Sequence, residues 1–207
     1  MKKSDRTKLK IIKATQEIVN EKGLEFASVR EIAKKAEVNV ASINYYFSKK
    51  ENLLGEILLL NSEELKKALR NRVSENIEDL SIDGLVLLIF DGLREDYERH
   101  INSRKMLLDK GIMNSESIRG QEDSSIFSPG HNLIHDFLNE KLQGVEGDFN
   151  SYTQRISLHL WGLIDQALFL IMGAEDDDKG PLGHGTSYIR ESLKKTTQDF
   201  ENGLNIK

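Results

Sequence analysis

Residues 32–43 read Ile32-Ala33-Lys34-Lys35-Ala36-Glu37-Val38-Asn39-Val40-Ala41-Ser42-Ile43. Val29, Ile32, Ala33 and Ala36 recur at helical spacing and predict a short helix that stops near Glu37. It opens at Ser28-Val29-Arg30-Glu31, where the serine hydroxyl can accept from the third amide and the glutamate can reach back. A second short helix is predicted from Val40 to about Phe47, with Asn39 as its N-cap. Two short helices joined this tightly must cross at a steep angle. Ala33 is small where the helices touch, while Val38 and Ile43 plug the shared core. The remaining positions, Ala41, Ser42, Asn44, Tyr45 and Tyr46, are small or hydrogen-bonding. Such a helix can enter the major groove of DNA, where each base pair offers a distinct pattern of donors and acceptors.

Outward from this pair the chain reads as helix throughout. Ile11, Ile12, Thr15, Ile18 and Val19 share one face of a helix expected over residues 7–21, with Gly23 as a left-handed cap. Ser48-Lys49-Lys50-Glu51 has capping-box spacing and is expected to open a long helix over residues 49–75. Leu53, Leu54, Ile57, Leu58, Leu65, Leu69 and Val73 supply its apolar side. Further helices are expected over residues 81–100, 102–114, 130–143, 150–173 and 186–202, with loops at 115–129 and 174–185. Prolines occur only at Pro129 and Pro181, which leaves long helices unbroken. The expected fold is all-α: residues 1–50 form a three-helix head, and residues 51–207 a larger helical body.

Composition narrows the function classes. The chain has 207 residues and no cysteine, which excludes disulfides, thiolate metal sites and a cysteine nucleophile. No apolar run exceeds six residues, against the roughly 20 that a membrane-spanning helix needs. The N-terminus leads into an amphipathic stretch rather than an apolar signal core, so a cytoplasmic protein with no membrane association is expected. The net charge of −5 hides an asymmetry. Residues 1–50 carry 12 Lys/Arg and 6 Asp/Glu, and residues 51–207 carry 17 and 28. A basic head on an acidic body suggests that the head meets a polyanion.

Residues 7–57, with Ile32-Ala33, Val38, Ile43-Asn44-Tyr45-Tyr46-Phe47 and Lys50-Glu51-x-Leu53, resemble the DNA-binding domain of TetR-type transcriptional regulators. By position, the resemblance implies that Ser28 and Arg30 meet phosphate and a base edge. It implies that Val40, Ala41, Ser42 and Tyr45 face the groove, and that Tyr46 and Lys50 touch the backbone. Two positions depart from the family pattern. Glu37 occupies the turn position that is usually glycine, which costs strain if φ is positive and brings a negative charge towards DNA. Asn44 replaces the first tyrosine of an aromatic pair; its amide suits adenine or a phosphate oxygen. The alternative reading makes Tyr45 and Tyr46 core aromatics, and Arg30 and Lys50 ordinary solvated residues.

The body has three notable features. Residues 156–173 are apolar nearly all round, as in a helix buried on both sides. The resemblance implies that this helix and the last one pair with their copies in a homodimer; the alternative is the central helix of a monomer. Phe90, Tyr97, Met106, Met113, Phe127, His159, Trp161 and Asp165 are adaptable, aromatic or polar side chains that could line a small-molecule pocket. Plain core packing is the alternative for each. Finally, His131 and His135 stand at i,i+4 beside Asp136, a spacing open to a metal but also to a solvated face.

The expectation is therefore a homodimeric repressor, not an enzyme, with no cofactor and no metal. It would bind a near-palindromic double-stranded DNA operator and leave it when a small-molecule effector binds. The rivals are a regulator controlled by a protein partner, and a small helical metalloenzyme built on His131, His135 and Asp136 or Asp165.

Overall fold

The computed structural model describes residues 3–75, 80–119, 121, 130–141, 149–171 and 186–203. Among them lie ten α-helices, one 3-10 turn and no strand. In chain order these are α1 (Lys3–Lys22), the 3-10 turn (Leu24–Phe26), α2 (Val29–Lys35), α3 (Val40–Phe47), α4 (Lys50–Ser74) and α5 (Ile82–Glu95). They are followed by α6 (Tyr97–Leu108), α7 (Lys110–Met113), α8 (His131–Lys141), α9 (Phe149–Ile171) and α10 (Thr186–Gly203). No helix among the described residues is long and apolar enough to cross a membrane.

The helices gather into two compact units. The first takes residues 1–64 and 96–127, and the second residues 65–95 and 128–207. The expected boundary at residue 50 marks the start of α4, whose opening turns join the first core: Leu53, Leu54, Ile57 and Leu58 all bury their side chains there. The same core holds Ile11, Ile18 and Val19 of α1, Ile32 of α2, Ile43 and Phe47 of α3, and Met106 of α6. Thr15 lies on the same buried face of α1 and donates its hydroxyl to the Ile11 carbonyl at 2.7 Å, so a polar side chain enters the core already satisfied.

The second unit is built on Leu65 and Leu69 of α4, the apolar run of α5, and inner faces of α8, α9 and α10. Trp161 is buried there and closes over Gly130, just before α8. A Cβ at Gly130 would stand 3.1 Å from Ile89 and closer still to the Trp161 ring, so only glycine leaves room for the indole. Arg190 of α10 pairs with Asp91 of α5 at 3.0 Å, and that hydrogen bond raises the guanidinium pKa above its ordinary value.

Three local expectations change. The single helix expected over residues 81–100 is two, because α5 ends at Glu95 and α6 begins after Asp96 (φ −110°, ψ 38°). Residues 94–100 contain neither glycine nor proline, so no local signal marks the break. The side chains on either side serve different cores: Phe90 and Leu93 the second, Met106 the first. Ser48 does not cap α4; it closes α3 at φ 62°, with its N–H donating to the Asn44 carbonyl at 2.9 Å. Gly23 has positive φ, as expected, but at φ 107° and ψ 161° it is extended rather than left-handed helical, a region essentially restricted to glycine. Most of the expected loop at 115–129 and all of that at 174–185 lie outside the described residues.

Candidate nucleic-acid interface

The turn between α2 and α3 fixes what α3 presents. Glu37 N–H donates to the Lys34 carbonyl at 3.2 Å, and Val38 N–H to the Ala33 carbonyl at 3.0 Å. These are the two bonds of a Schellman motif, which requires a left-handed residue between them. Glu37 is that residue, with φ 54°, so a glutamate carries the conformation that glycine adopts without cost. Val38 then folds back onto the core beside Ile32 and Ala33.

Both short helices are capped as expected. Ser28 Oγ accepts from Glu31 N–H at 3.2 Å, and Asn39 Oδ1 accepts from Ala41 N–H at 2.9 Å. Each cap satisfies an amide that the helix cannot bond internally, an effect worth about 1 kcal/mol. Ser28 is exposed, and its hydroxyl accepts there without using its own proton.

The result is a two-sided α3. Ile43 and Phe47 are fully buried, 0% and 3% exposed. Val40, Ala41, Asn44 and Tyr45 are exposed on the opposite side, and Ser42 and Tyr46 are half-buried at its flanks. Tyr45 is 81% exposed, so its ring is not a core aromatic. Its ring meets Tyr46 edge-on at 5.0 Å between centroids, and Tyr46 in turn meets Phe47 at 6.4 Å. The buried Phe47 thus steadies a short aromatic ladder that ends in solvent.

Charge around this face is selective. Arg30, Lys34 and Lys49 are exposed and Lys50 is half-buried. Lys35 is engaged elsewhere, on Glu17 at 2.9 Å and Glu21 at 3.4 Å of α1. The hydrogen bond with Glu17 pushes its pKa above the ordinary lysine value. Lys8 of α1 lies 5.3 Å from the centroid of the Phe47 ring and pairs with Glu56 of α4 at 3.0 Å, a brace that sequence reading did not single out. Its only signal was the lysine-rich start of α1.

The expected ligand pocket is not gathered in one unit. Phe90 and Trp161 are core residues of the second unit; Met106 belongs to the core of the first, with Met113 packed against it. His159 is exposed and Asp165 half-buried. The Tyr97 side chain and all of Phe127 lie outside the described parts. A shallow groove of about 150 Å³ runs between α9 and α10, lined by Leu163, Gln166, Ala167, Tyr188, Ser192 and Thr196 among others.

The histidine pair is part of a polar seam between α8 and α9. His131 Nε2 is 2.9 Å from Ser157 Oγ, the two imidazoles stack at 6.3 Å, and His135 lies 3.3 Å from Asn139 Nδ2. Asn139 Oδ1 accepts from Thr153 Oγ1 at 2.7 Å. Among the described residues no group of three or more His, Asp or Glu side chains could hold a metal ion.

α9 is buried on one side only. Ile156, Leu160, Ile164 and Leu168 enter the second core, while Leu158 is 52% exposed. At Gly162 a Cβ would find no atom within 4 Å. Leu158 and the notch at Gly162 therefore face outward, among the exposed polar side chains of Gln154, Arg155, His159 and Gln166.

Comparison with known proteins agrees with this geometry. Residues 11–57 match the family described as bacterial regulatory proteins, tetR family. Over 85 residues the chain is 40% identical to "Probable HTH-type transcriptional regulator YttP" of Bacillus subtilis (strain 168), a match that spans 41% of each chain. A transcriptional regulator from Rhodococcus sp. Rha1 superposes with TM-score 0.63 at 19% identity, covering 98% of this chain and 97% of that one. FadR from Bacillus subtilis, solved in complex with stearoyl-CoA, superposes with TM-score 0.61 at 18% identity, covering 90% and 95%. At such identities the structural likeness establishes a shared fold.

Proposed function

We propose that this chain, whose residues 11–57 match the bacterial tetR regulatory family, is a repressor of that family that reads a near-palindromic operator as a homodimer. The observation that carries the reading is the two-sided α3, which buries Ile43 and Phe47 and exposes Val40, Ala41, Asn44 and Tyr45. Arg30, Ser42, Asn44 and Tyr45 contact base edges, and so supply specificity. Ser28, Tyr46 and Lys50 bind phosphates, with the small side chains of Val40 and Ala41 admitting the helix to the groove. The family is one of regulators rather than enzymes.

Two copies are needed for a palindrome. Reading heads on two half-sites lie about 34–36 Å apart or a multiple of that. The exposed Leu158 and the notch at Gly162 on α9, together with the neighbouring face of α10, support dimerisation there. Control by a small-molecule effector is supported by family membership and by the ligand-bound FadR neighbour. An effector that binds better to the form unable to span two half-sites lowers operator affinity by that difference in binding free energy. Regulation of transcription places the protein in the cytoplasm.

The test is selection of bound duplexes from a random DNA library, beside an Arg30→Ala/Tyr45→Ala variant. Wild type should enrich a near-palindromic site that the variant does not. Equal enrichment by both, or none by wild type, would overturn the assignment of α3 as the reading helix.

A further inference from the structure

We propose that the turn at residues 115–117 positions the DNA-reading helix α3, and that Asn52 is the residue through which it acts. The proposal rests on the DNA-binding reading above. The turn lies outside residues 11–57, the segment that matches the family, whereas Asn52 and Gly55 lie within it.

The chain of contacts is short. Phe47 ends α3, and its carbonyl, past the reach of helical N–H groups, accepts from Lys49 N–H at 2.7 Å and has a second lone pair to offer. Asn52, in the first turn of α4 and only 5% exposed, donates Nδ2 to that carbonyl at 2.9 Å. The other end of the same amide is held by the turn: Asn52 Oδ1 accepts from Glu116 N–H at 3.1 Å. Glu116 Oε2 stands 3.4 Å from Nδ2, and Ser117 Oγ donates to the Asn52 carbonyl at 2.8 Å. Both ends of one buried side chain are therefore committed, one to the reading helix and one to a segment more than sixty residues away in sequence.

Packing enforces the same contact. A Cβ at Gly55, one turn along α4, would stand 2.5 Å from Ser115 Oγ, 3.1 Å from Ser117 Cβ and 3.3 Å from Ile118. The turn approaches α4 as closely as it does because residue 55 has no side chain. Ser115 is fully buried in this contact. α7 continues the approach: Asp109 caps it with bonds to Gly111 and Ile112 N–H at 2.8 and 3.0 Å, and a Cβ at Gly111 would meet Glu51 at 3.1 Å.

Hydrogen bonds to a buried amide fix direction as well as distance. A shift of the turn drags Asn52 or breaks its bonds, and either removes one of the two bonds at the Phe47 carbonyl and so loosens the carboxyl end of α3, where the Tyr45–Tyr46–Phe47 ladder lies. The turn thus sets how sharply the helix discriminates bases, while leaving phosphate attraction intact.

Two variants attack the contact from different sides. Asn52→Asp keeps the shape and the acceptor but sets a carboxylate against the Phe47 carbonyl and Glu116. Gly55→Ala leaves every hydrogen-bonding group in place and favours helix, but forces the turn away. Asn114→Ala is the control, since its side chain bonds within its own turn, to the Lys110 carbonyl at 2.8 Å.

The readouts are fluorescence anisotropy on the duplex selected by wild type and on a scrambled duplex, and hydrogen exchange of the amides of residues 43–48. Both variants should lose about tenfold in the ratio of selected to scrambled affinity, the size of one base contact. Scrambled binding should be unchanged, amides 43–48 should exchange faster, and Asn114→Ala should match wild type. The proposal is overturned if ratio and exchange stay at wild-type values in both variants. It is overturned equally if both affinities fall in parallel with thermal unfolding, as for a merely structural contact. If wild type selects no duplex, it is the DNA-binding reading that fails; the exchange measurement still tests whether the turn holds α3.

Discussion

Glu37 states in one residue the conflict between sequence and backbone. Its φ of 54° completes the α2–α3 turn, yet a side chain there costs on the order of 1 kcal/mol. Glu37→Gly should raise the urea unfolding midpoint by the equivalent of about 0.5–1 kcal/mol. Glu37→Ala keeps the Cβ and should leave the midpoint nearly unchanged. Both remove a carboxylate from the turn before α3, so on the proposed reading both should tighten duplex binding at low salt. The pair separates strain from charge. Tyr45 is the complementary case: at 81% exposure, Tyr45→Ala should change stability by less than about 0.5 kcal/mol while weakening selected-site binding at least tenfold. Equilibrium denaturation and anisotropy on the same samples check both halves.

At the scale of elements, α2 and α3 were legible because their signals are local. Ser28 and Asn39 cap by side chains within three residues, and the apolar stripe of Val29, Ile32, Ala33 and Ala36 meets the 3.6-residue period. The α5–α6 break was not legible, since it follows from which core each side chain joins and not from any breaker between residues 94 and 100. Ser48 misled for a related reason: its spacing fits a cap for α4, but closing α3 claimed its backbone first. Asn52 escaped notice because an asparagine early in a helix reads as solvated, and its partners lie at residues 116 and 117. The ligand-pocket reading spread over both cores because aromatic and methionine side chains at helical spacing are first of all packing residues. Two core positions should show how tightly these elements fit. Ile43→Ala should cost about 2–5 kcal/mol, as for other buried isoleucines. Gly130→Ala, which removes nothing, should still cost about 1–3 kcal/mol because it crowds Trp161 and Ile89. Denaturant unfolding measures each.

For the whole molecule, the exposed Leu158 on α9 and the basic head make linked claims. Leu158→Glu puts a charge on the outward side of α9 without touching the core. It should shift the sedimentation profile from dimer to monomer and weaken binding to a palindromic duplex far more than to a single half-site. Equal losses on the two duplexes would separate dimerisation from α9.

The one tryptophan in the chain, Trp161, lies within the second core, closed over Gly130. Nature has therefore placed a single optical gauge in one half of the protein. Emission excited at the red edge of indole absorption reports that half alone, whereas backbone circular dichroism averages over every helix. Heating with both detectors asks whether the reading head and its body melt as one transition. Coincident midpoints would mean that they share a fate; an early loss of ellipticity under constant emission would mean that the head loosens first.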